Sequence, residues 1–461
     1  MSQKPSIPKG TRDFTPAEVA KRNYIFDVIK KRFEIFGFQP IETPSFENSE
    51  TLMGKYGDEG DRLIFKILNS GDFLGKVDES SYASKDASVL TSKISEKALR
   101  YDLTVPFARY VVMHQSEIDF PFKRYQMQPV WRADRPQKGR FREFYQCDAD
   151  VVGADSLLQE VEFIQLYDAV FADLGLEGVN IKLNNRKVLA GIAEVIGAQG
   201  LLIDFTVALD KLDKIGADGV KREMATKGIS ADSIAKVEPL FSLSGSNSEQ
   251  LAILKNMLSD SEEGLKGVEE LAFIMETIGS LGFLSAQLSI DVTLARGLNY
   301  YTGAIIEVAA PKKVDMGSIG GGGRYDDLTG IFGLKDVSGV GISFGLDRIY
   351  LVLEELGLFP DTVDQNLQVL CLNFGPKEAL AALKLTTLLR RAGLKADLYP
   401  TDAKIQKQFK YANNRNVPFV ILIGEKELAE NSFVAKNMES GEQETYNLKN
   451  PEKFVGRFQK D

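Results

Sequence analysis

The sequence predicts an α+β protein: a main domain built on an antiparallel sheet, a helical insertion within it, and a C-terminal α/β domain. Three observations lead to this fold class. Near the middle of the chain, the strand-like runs RYQMQPVWRAD and FREFYQCDADVVG are joined by the short cationic loop RPQKGR, which is typical of an antiparallel hairpin. Residues 200–280 are rich in helix-forming residues. From residue 367 onward, strand patterns alternate with helix patterns, which is typical of a small α/β domain.

The length of 461 residues is too great for one ordinary domain. The segment LFPDTVDQN breaks the helical pattern before it and carries a proline and several turn formers, so it reads as a linker. The predicted division is a main domain over 1–200 and 281–357, an insertion over 201–280, a linker over 358–366 and a C-terminal domain over 367–461.

Composition excludes several classes of protein. No apolar run approaches the roughly 18 residues that span a bilayer, and MSQKPSIPKGTRDF lacks a secretory signal pattern, so we expect a cytoplasmic protein with no membrane association. The two cysteines lie far apart and there is one histidine, which argues against a structural disulfide, a thiolate zinc site and a multi-histidine metal site. Chemistry is therefore expected from carboxylates, arginines, tyrosines and bound substrates, and no metal ligand is assigned.

Charge is unevenly distributed along the chain. The net charge is −9, but residues 367–461 contain 15 basic and 11 acidic residues, a balance of +4 that leaves −13 for the rest. A basic module can bind a polyanion locally because fields are screened over about 8–10 Å at physiological salt. On charge alone, a chance fluctuation is the favoured explanation of this imbalance.

The N-terminal elements follow from apolar spacing. Residues 17–36 carry a helical stripe that ends at Gly37, and FQPIETPSFE is extended and interrupted by Pro40 and Pro44. Residues 69–97 are polar without a sustained period and are predicted to form a surface loop or hairpin. LRYDLTVPFARYVV is predicted to run from a short strand into a helix.

After the central hairpin, a helix is predicted over residues 156–174. Strand character returns in QLSIDVTLARGLNYYTGAIIEVA, and the glycine-rich run GSIGGGGRYDDL is predicted to be a loop. GVGISFGLDRIYLVLEEL is predicted to be a glycine-rich strand that enters a helix. Its glycine spacing matches neither GxGxxG nor GxxxxGK[ST], so a Rossmann site and a P-loop are excluded.

One face of the central hairpin carries groups unsuited to a core. Because side chains alternate along a strand, a cation, an aromatic ring, an amide and two carboxylates share this face: Arg142, Phe144, Gln146, Asp148 and Asp150. The other strand adds Arg132 and Asp134, and the connecting loop adds further cations, among them Arg140. This set suits a substrate with both a phosphate chain and an amino group, although a solvated sheet face is the simpler alternative.

Three further groups are candidates. In LRYDLT, the i, i+2 spacing places Asp102 and Thr104 on one strand face, where they could hold an ammonium; equally, they could begin the following helix. In LARGLNYY, Arg296 precedes two tyrosines and could be an ordinary edge-strand arginine. Arg348 lies in the first turn of the helix after the glycine-rich strand, where a helix N-terminus attracts phosphate.

Taken together, these segments resemble the class II aminoacyl-tRNA synthetases, and within them the histidyl-tRNA synthetase family. The first helix with FGFQPIETPSFE resembles motif 1, VWRADRPQKGRFREFYQ motif 2, and GVGISFGLDRIYLVL motif 3. LARGLNYYTGAIIE and SIGGGGRYDDL are similar to two peptides of the histidine-specific enzymes, and KYANNRNVPFVILIGEKE to their anticodon-binding domain. The resemblance covers nearly the whole chain.

The resemblance implies a class II fold, an ATP-dependent ligation of histidine to tRNA(His) through histidyl-adenylate, and a role for each matching residue. Arg132 and Arg296 would be catalytic at the α-phosphate. The histidine-binding set would be Asp102, Thr104, Arg132, Gln146, Asp150, Arg296, Tyr300 and Tyr301. The ATP-binding set would be Arg132, Asp134, Arg140, Phe144 and Arg348, where many class members have Glu instead of Asp134.

The resemblance also implies Mg²⁺ on the ATP, a homodimer and a cytoplasmic location. The alternative is the histidine-binding regulatory subunit of ATP phosphoribosyltransferase, which shares the catalytic fold. That alternative predicts eroded phosphate-binding arginines and no C-terminal domain. Here Arg132, Arg140 and Arg348 are present, and about 95 residues follow the linker.

Overall fold

The computed structural model describes residues 4–295, 301–363 and 367–458. Within these ranges the α-helices α1 to α18, in chain order, are Pro16–Ile35, Ser49–Leu52, Gly57–Leu63, Glu79–Ser84, Ala87–Ile94, Thr104–Met113, Leu158–Asp173, Arg186–Val195, Leu202–Leu209, Leu212–Thr226, Ala231–Val237, Asn247–Met257, Glu262–Leu281, Leu346–Leu356, Pro376–Arg391, Ile405–Asn414, Glu425–Ala429 and Glu452–Val455. Short 3-10 helices are formed by Gln199–Leu201, Glu238–Ser242 and Thr329–Phe332.

The strands β1 to β16 of the same ranges are Gln39–Pro40, Phe46–Asn48, Lys66–Ile67, Lys97–Leu99, Phe122–Trp131, Glu143–Val152, Asn180–Asn185, Gln287–Ile290, Ala304–Ala309, Gly320–Arg324, Gly339–Gly345, Val369–Cys371, Ala396–Leu398, Phe419–Leu422, Ser432–Asn437 and Gln443–Asn447. In the described residues they form an eight-stranded, a five-stranded and a three-stranded sheet. The chain divides into two units, one of residues 1–13 and 22–359, the other of residues 14–21 and 360–461.

The eight-stranded sheet organises the first unit, with strand order β1-β5-β6-β11-β10-β9-β7-β8. Its six central strands pair antiparallel, whereas β1 with β5 and β7 with β8 pair parallel. The predicted hairpin is confirmed as β5 and β6, which pair from Phe122 opposite Val152 to Trp131 opposite Glu143. The predicted α+β class is confirmed.

One face of this sheet is covered by helices. Cys147, Ala149 and Val151 of β6 are fully buried in the same apolar cluster as residues of α1 and α7, among them Phe33 and Phe171. The predicted helices over 17–36 and 156–174 are therefore confirmed by α1 and α7, whose apolar stripes bury this face. The opposite face of β6 remains available for a site.

The glycine run of GSIGGGGRYDDL is a strand and not the predicted loop. Residues Gly320–Arg324 form β10, which lies between β9 and β11 in the middle of the sheet. The prediction failed because four successive glycines give no alternating pattern, yet their backbone groups pair with both neighbouring strands as those of any strand would.

The segment 69–97 forms two short helices, α4 and α5, and not the predicted loop or hairpin. Each helix begins after an aspartate that caps it: Asp78 accepts a hydrogen bond from the Ser81 amide and Asp86 from the Ser88 amide. The Ser- and Asp-rich composition that indicated a loop therefore supplies helix caps. A short strand, β4, does precede α6, but it ends at Leu99, before the residues of LRYDLT that were predicted to be extended.

Residues 202–281 form helices α9 to α13, which confirms the predicted helical character of this part. In the second unit the sheet order is β13-β12-β14-β15-β16, with β12 parallel to both β13 and β14. Helices α15 and α16 lie in the chain between β12 and β14, as predicted for a strand–helix alternation. None of the described helices is long and apolar enough to cross a membrane.

Candidate active site

Two adjoining cavities open on the sheet face that the helices leave uncovered. The larger, of about 300 Å³, is lined by Arg132, Asp134, Gly139, Arg140, Phe141, Phe144, Tyr145, Gln146, Ser318, Ile319, Gly320, Gly321, Ser343, Gly345, Asp347 and Arg348. The smaller, of about 130 Å³, is lined by Asp102, Thr104, Arg132, Gln146, Asp148, Asp150, Tyr301, Gly321, Gly322, Tyr325, Gly341, Ile342 and Ser343. Arg132, Gln146, Gly321 and Ser343 line both, so the cavities meet at these residues.

The two predicted sets of binding residues separate between these cavities. All five predicted ATP-binding residues line the larger cavity. Six of the eight predicted histidine-binding residues line the smaller one, and the other two, Arg296 and Tyr300, lie outside the described residues. The sets that the family resemblance implies are thus brought together from segments around β5, β6, α6 and α14, which are far apart in the chain.

Strand β6 supplies the floor of both cavities. Phe144, Gln146, Asp148 and Asp150 face the cavities, while Cys147 and Ala149 between them turn toward the helices, as strand alternation requires; Tyr145, at the start of the strand, also lines the larger cavity. Asp148 and Asp150 are each 3% exposed, so this is not the solvated sheet face that the sequence left open.

Asp102 combines two roles that the sequence posed as alternatives. Strand β4 ends at Leu99, so Asp102 and Thr104 lie in a turn and at the start of α6, not on a strand face as predicted. Its Oδ1 accepts hydrogen bonds from the Val105 amide at 3.2 Å and from the Tyr56 hydroxyl at 2.8 Å. Its Oδ2 is buried and accepts no hydrogen bond from the residues the structure describes. One oxygen therefore caps the helix and the other remains for a ligand.

Asp150 is held by two groups that the sequence analysis did not single out. The Tyr325 hydroxyl donates a hydrogen bond to Oδ1 at 2.5 Å, and Arg124 Nη2 lies 2.8 Å from Oδ2. Arg124 is fully buried on β5, directly opposite Asp150 in the strand pairing, and its guanidinium lies 4.2 Å from the centre of the Phe107 ring. The polar alternation of Arg124, Gln126 and Gln128 in KRYQMQPVW was the available signal.

Burial dominates the electrostatics of the smaller cavity. It raises the pKa of Asp102 and of Asp150 above their ordinary values, opposed by the Tyr56 hydrogen bond in the first and the Arg124 charge in the second. Burial, with the neighbouring Asp150 charge, raises the pKa of Asp148 to about 7 against the opposing effect of Arg124. Three carboxyl groups thus surround a space that favours a cationic ligand.

Arg132 lies where the two cavities meet. Its Nε donates a hydrogen bond to the Tyr101 carbonyl at 3.0 Å, and its guanidinium lies 4.3 Å from the Tyr101 ring and 5.2 Å from the Phe144 ring. These contacts fix the guanidinium between two aromatic rings, where it can reach a group in either cavity.

The loop between β5 and β6 closes one side of the larger cavity. Arg140 Nη1 lies 3.7 Å from Asp134, and Arg348 donates hydrogen bonds to the carbonyls of Gly139 at 3.1 Å and Ser318 at 2.5 Å. Gly139 has a φ of +69°, and a Cβ there would lie 3.1 Å from the Arg348 side chain. Glycine at this turn therefore lets the cationic loop pack against Arg348.

Gly341 of β11 forms the wall behind Asp150. A Cβ at this position would lie 1.9 Å from Asp150 Oδ1 and 2.4 Å from its Cγ. Only glycine at position 341 lets the backbone of β11 lie this close to the Asp150 carboxylate, because any other residue would place a Cβ on it.

An arginine pair from the N-terminal residues was also missed. Arg12 and Arg22 each place a guanidinium nitrogen 2.5 Å from Asp347 Oδ1, at the start of α14 and in the wall of the larger cavity. The Arg12 guanidinium also lies 3.3 Å from the centre of the Phe141 ring. No local spacing links residues this far apart in sequence.

The single histidine and the cysteines lie outside both linings. His114 is the C-cap of α6 and lies 3.1 Å from Glu117. Both cysteines are buried and unpaired, in agreement with the sequence analysis. Among the described residues, no group of three or more His, Cys, Asp or Glu is placed to hold a metal ion.

Comparison with known proteins gives a consistent result. Residues 79–349 match a family model described as histidyl-tRNA synthetase, and residues 367–457 match one described as an anticodon binding domain. The chain is 70% identical to a histidine–tRNA ligase of Christiangramia forsetii over 443 residues, which cover 96% of this chain and 97% of that one. It is 66% identical to a histidine–tRNA ligase of Flavobacterium johnsoniae, with the same coverage.

Among solved structures, a histidyl-tRNA synthetase from Nostoc superposes with a TM-score of 0.82 and 31% identity. The superposition covers 99% of this chain and all of the other. The similarity therefore extends over both units of the chain, each of which is matched in sequence as well as in fold.

Proposed function

The chain belongs to the histidyl-tRNA synthetase family, and from this premise we propose that its two cavities carry out the ATP-dependent attachment of histidine to tRNA(His). The smaller cavity takes histidine and the larger takes ATP. The proposal rests on one observation above all: Arg132 lines both cavities at the point where they meet. A guanidinium there can contact the carboxylate of one substrate and the α-phosphate of the other.

The first step follows from this geometry. A carboxylate oxygen of histidine attacks the α-phosphorus of ATP, an oxygen–phosphorus bond forms, and the bond to pyrophosphate breaks. Negative charge builds on the non-bridging oxygens, where the fixed Arg132 guanidinium stabilises it without a proton transfer. We assign Arg296 a second contact with the same phosphate; it remains a prediction, since Arg296 lies outside the described residues.

The smaller cavity accounts for the choice of amino acid. Asp102 Oδ2 is a buried acceptor suited to an ammonium group, with Thr104 and Gln146 beside it. We assign the imidazole ring to the end of the cavity formed by Asp150 and Tyr301, with Tyr300 as a further predicted contact. A site built to hydrogen-bond such a ring rejects side chains without matching polar atoms, because its buried groups would then be unpaired.

The larger cavity accounts for the nucleotide. We assign the adenine to the face of the Phe144 ring and the outer phosphates to Arg140 and Arg348, with Asp134 beside Arg140. We assign Mg²⁺ to the phosphate oxygens of the ATP, as the family resemblance implies. Bound there, Mg²⁺ would offset the charge of the leaving pyrophosphate.

In the second step a terminal ribose hydroxyl of the tRNA attacks the acyl carbon, and AMP leaves. We assign recognition of the anticodon to residues 367–461, which carry a net charge of +4 and match the anticodon-binding family model over 367–457. We assign residues 201–280 to an inserted helical subdomain and 358–366 to a linker. A cytoplasmic homodimer completes the proposal.

The regulatory-subunit alternative is less well supported. It requires loss of the phosphate-binding arginines, whereas Arg132, Arg140 and Arg348 all line the larger cavity. The high identity to histidine–tRNA ligases over nearly the full chain also favours the ligase.

The test is amino-acid-dependent ATP–pyrophosphate exchange with each of the twenty amino acids. Exchange with histidine alone, followed by transfer of labelled histidine to tRNA(His), is the expected result. Histidine binding without any exchange would instead support the regulatory alternative and overturn the proposal.

A further inference from the structure

We propose that Asp148 is a further substrate-binding residue, whose carboxylate accepts a hydrogen bond from the ammonium group of the bound amino acid. This inference rests on the proposed function, because it assigns a contact within the same cavity. It adds a third acid to the histidine-binding set that the family resemblance implies, whose acids are Asp102 and Asp150.

The position of Asp148 places it in the middle of the smaller cavity. It lies on β6 between Gln146 and Asp150, and side chains two residues apart on a strand point the same way, about 7 Å from each other. Gln146 lines both cavities, whereas Asp150 lines only the smaller one. If the substrate carboxylate lies where the two cavities meet and its ring lies at Asp150, the atoms between them lie next to Asp148.

The three acids differ in how well their charge is compensated. Asp150 has Arg124 at 2.8 Å and the Tyr325 hydroxyl at 2.5 Å. By contrast, Asp148 accepts long hydrogen bonds from Gln146 Nε2, at 3.4 and 3.5 Å, and a further one from the Ser343 hydroxyl opposite it in the strand pairing, and among the described residues it forms no ion pair. A buried carboxylate with such weak partners is costly when ionised unless a cation enters the cavity.

The ammonium group is the cation that fits this position. When the substrate carboxylate lies at Arg132, its ammonium is one carbon away and its ring lies further into the cavity. Asp102 Oδ2 approaches the same space from α6 and is also without a donor among the described residues. Asp102 and Asp148 together would then accept two of the three ammonium hydrogens.

The surroundings of Asp148 make its contact pH-dependent. The charges of Arg124 on β5, Asp150 on β6 and Asp102 before α6 shift the pKa of Asp148. The charge of Asp148 in turn raises the pKa of Cys147 on β6 and of Tyr167 on α7. Burial is the main cause that raises the pKa of Asp148 to about 7; the Arg124 charge opposes it, and the charges of Asp150 and Asp102 add to it. A bound ammonium lowers that pKa again, so histidine binding releases a proton near neutral pH, and affinity rises with pH until Asp148 is fully ionised.

The first test compares Asp148→Asn with the wild type in ATP–pyrophosphate exchange. Asparagine keeps the size and the polar contacts of the residue but loses the charge. The histidine KM should rise about tenfold, with the ATP KM changed less than about twofold. Asp155→Asn, which removes an exposed acid just after β6, is the matched control and should change neither constant.

The second test uses binding calorimetry of the wild type, so that it holds even if Asp148→Asn does not fold. The ligand is a histidine analogue with a 1,2,4-triazole ring, which does not titrate near neutral pH. Measured over a series of pH values on both sides of neutrality, in buffers of different ionisation enthalpy, binding should release part of a proton where Asp148 titrates, since its pKa is about 7 without ligand. No proton release by the wild type would overturn the inference.

A ligand without the ammonium group identifies the contact. Asp148→Asn should weaken binding of histamine, which has the ammonium and ring, but leave binding of imidazolepropionate, which has only ring and carboxylate, unchanged. Equal loss with both ligands would place Asp148 at the ring and refute the ammonium assignment. If the wild type itself shows no histidine-dependent exchange, the proposed function has failed; if it does and Asp148→Asn matches it, only this inference has failed.

Discussion

The substitution Gly341→Ala tests how the histidine cavity is built. The new Cβ would lie 1.9 Å from Asp150 Oδ1, whereas ordinary contacts begin at 3.4 Å. The carboxylate must therefore move by about 1.5 Å, or the strand must shift by a similar amount. Gly341 does not have a positive φ, so the backbone itself accepts alanine, and the effect comes from this collision and from the Ala149 carbonyl oxygen at 3.1 Å.

The expected magnitude follows from the two contacts of Asp150 that the collision displaces. Weakening the Tyr325 hydrogen bond to a charged group costs about 1.5–3 kcal/mol, and separating a buried ion pair such as that with Arg124 costs about 3–5 kcal/mol when one partner is lost outright. Because both partners remain nearby, we expect the free energy of unfolding to fall by about 3 kcal/mol and the histidine KM to rise about 10–100-fold.

The measurements are urea denaturation and pyrophosphate exchange on the same preparations. Gly279→Ala is the control, since no atom lies within 4 Å of its added Cβ, and a helical glycine replaced by alanine should gain up to about 1 kcal/mol. Wild-type stability and histidine KM in Gly341→Ala would refute the packing argument for this wall of the site.

Three other substitutions or treatments have defined outcomes. Arg132→Ala should slow pyrophosphate exchange about 10²–10³-fold at saturating substrates, as expected for loss of a donor to developing charge; a rate within threefold of wild type would remove Arg132 from its catalytic role. Asp150→Ala should mainly raise the histidine KM, and an unchanged KM would contradict its assignment. Cys147 and Cys371 should not react with a thiol reagent at pH 8 until the protein unfolds, because both are buried and burial raises the pKa of Cys371 to about 12; rapid labelling of the native protein would disagree with the structure.

Local patterns were sufficient for most secondary structure and for most of the site. The period of two in FREFYQCDADVVG separates cavity residues from core residues correctly over 146–151, whereas Tyr145 lines the larger cavity and Arg142 lines neither, against the prediction. The motif spacing also selected residues that line the two cavities, since strand and helix geometry fix where consecutive side chains point. Arg296 and Tyr300 stay predictions.

Patterns failed where one segment depends on another distant in sequence. The GGGG run became strand β10 because β9 and β11 flank it, not because of any property of glycine. One oxygen of the Asp102 carboxylate caps α6 and the other faces the smaller cavity. The spacing of residues in LRYDLT does not show that both roles occur together.

The sequence by itself determined which side chains could serve two polar substrates, because side-chain direction follows from the backbone period within each element. Only the tertiary structure decided how their charges are balanced: Arg124 opposite Asp150, Arg12 and Arg22 against Asp347, and Asp148, which forms no ion pair among the described residues although the Arg124 charge lowers its pKa. These charge interactions depend on distances of a few ångströms between segments up to 335 residues apart in sequence. In a buried site such distances determine the pKa of each carboxyl group and the affinity for the substrate.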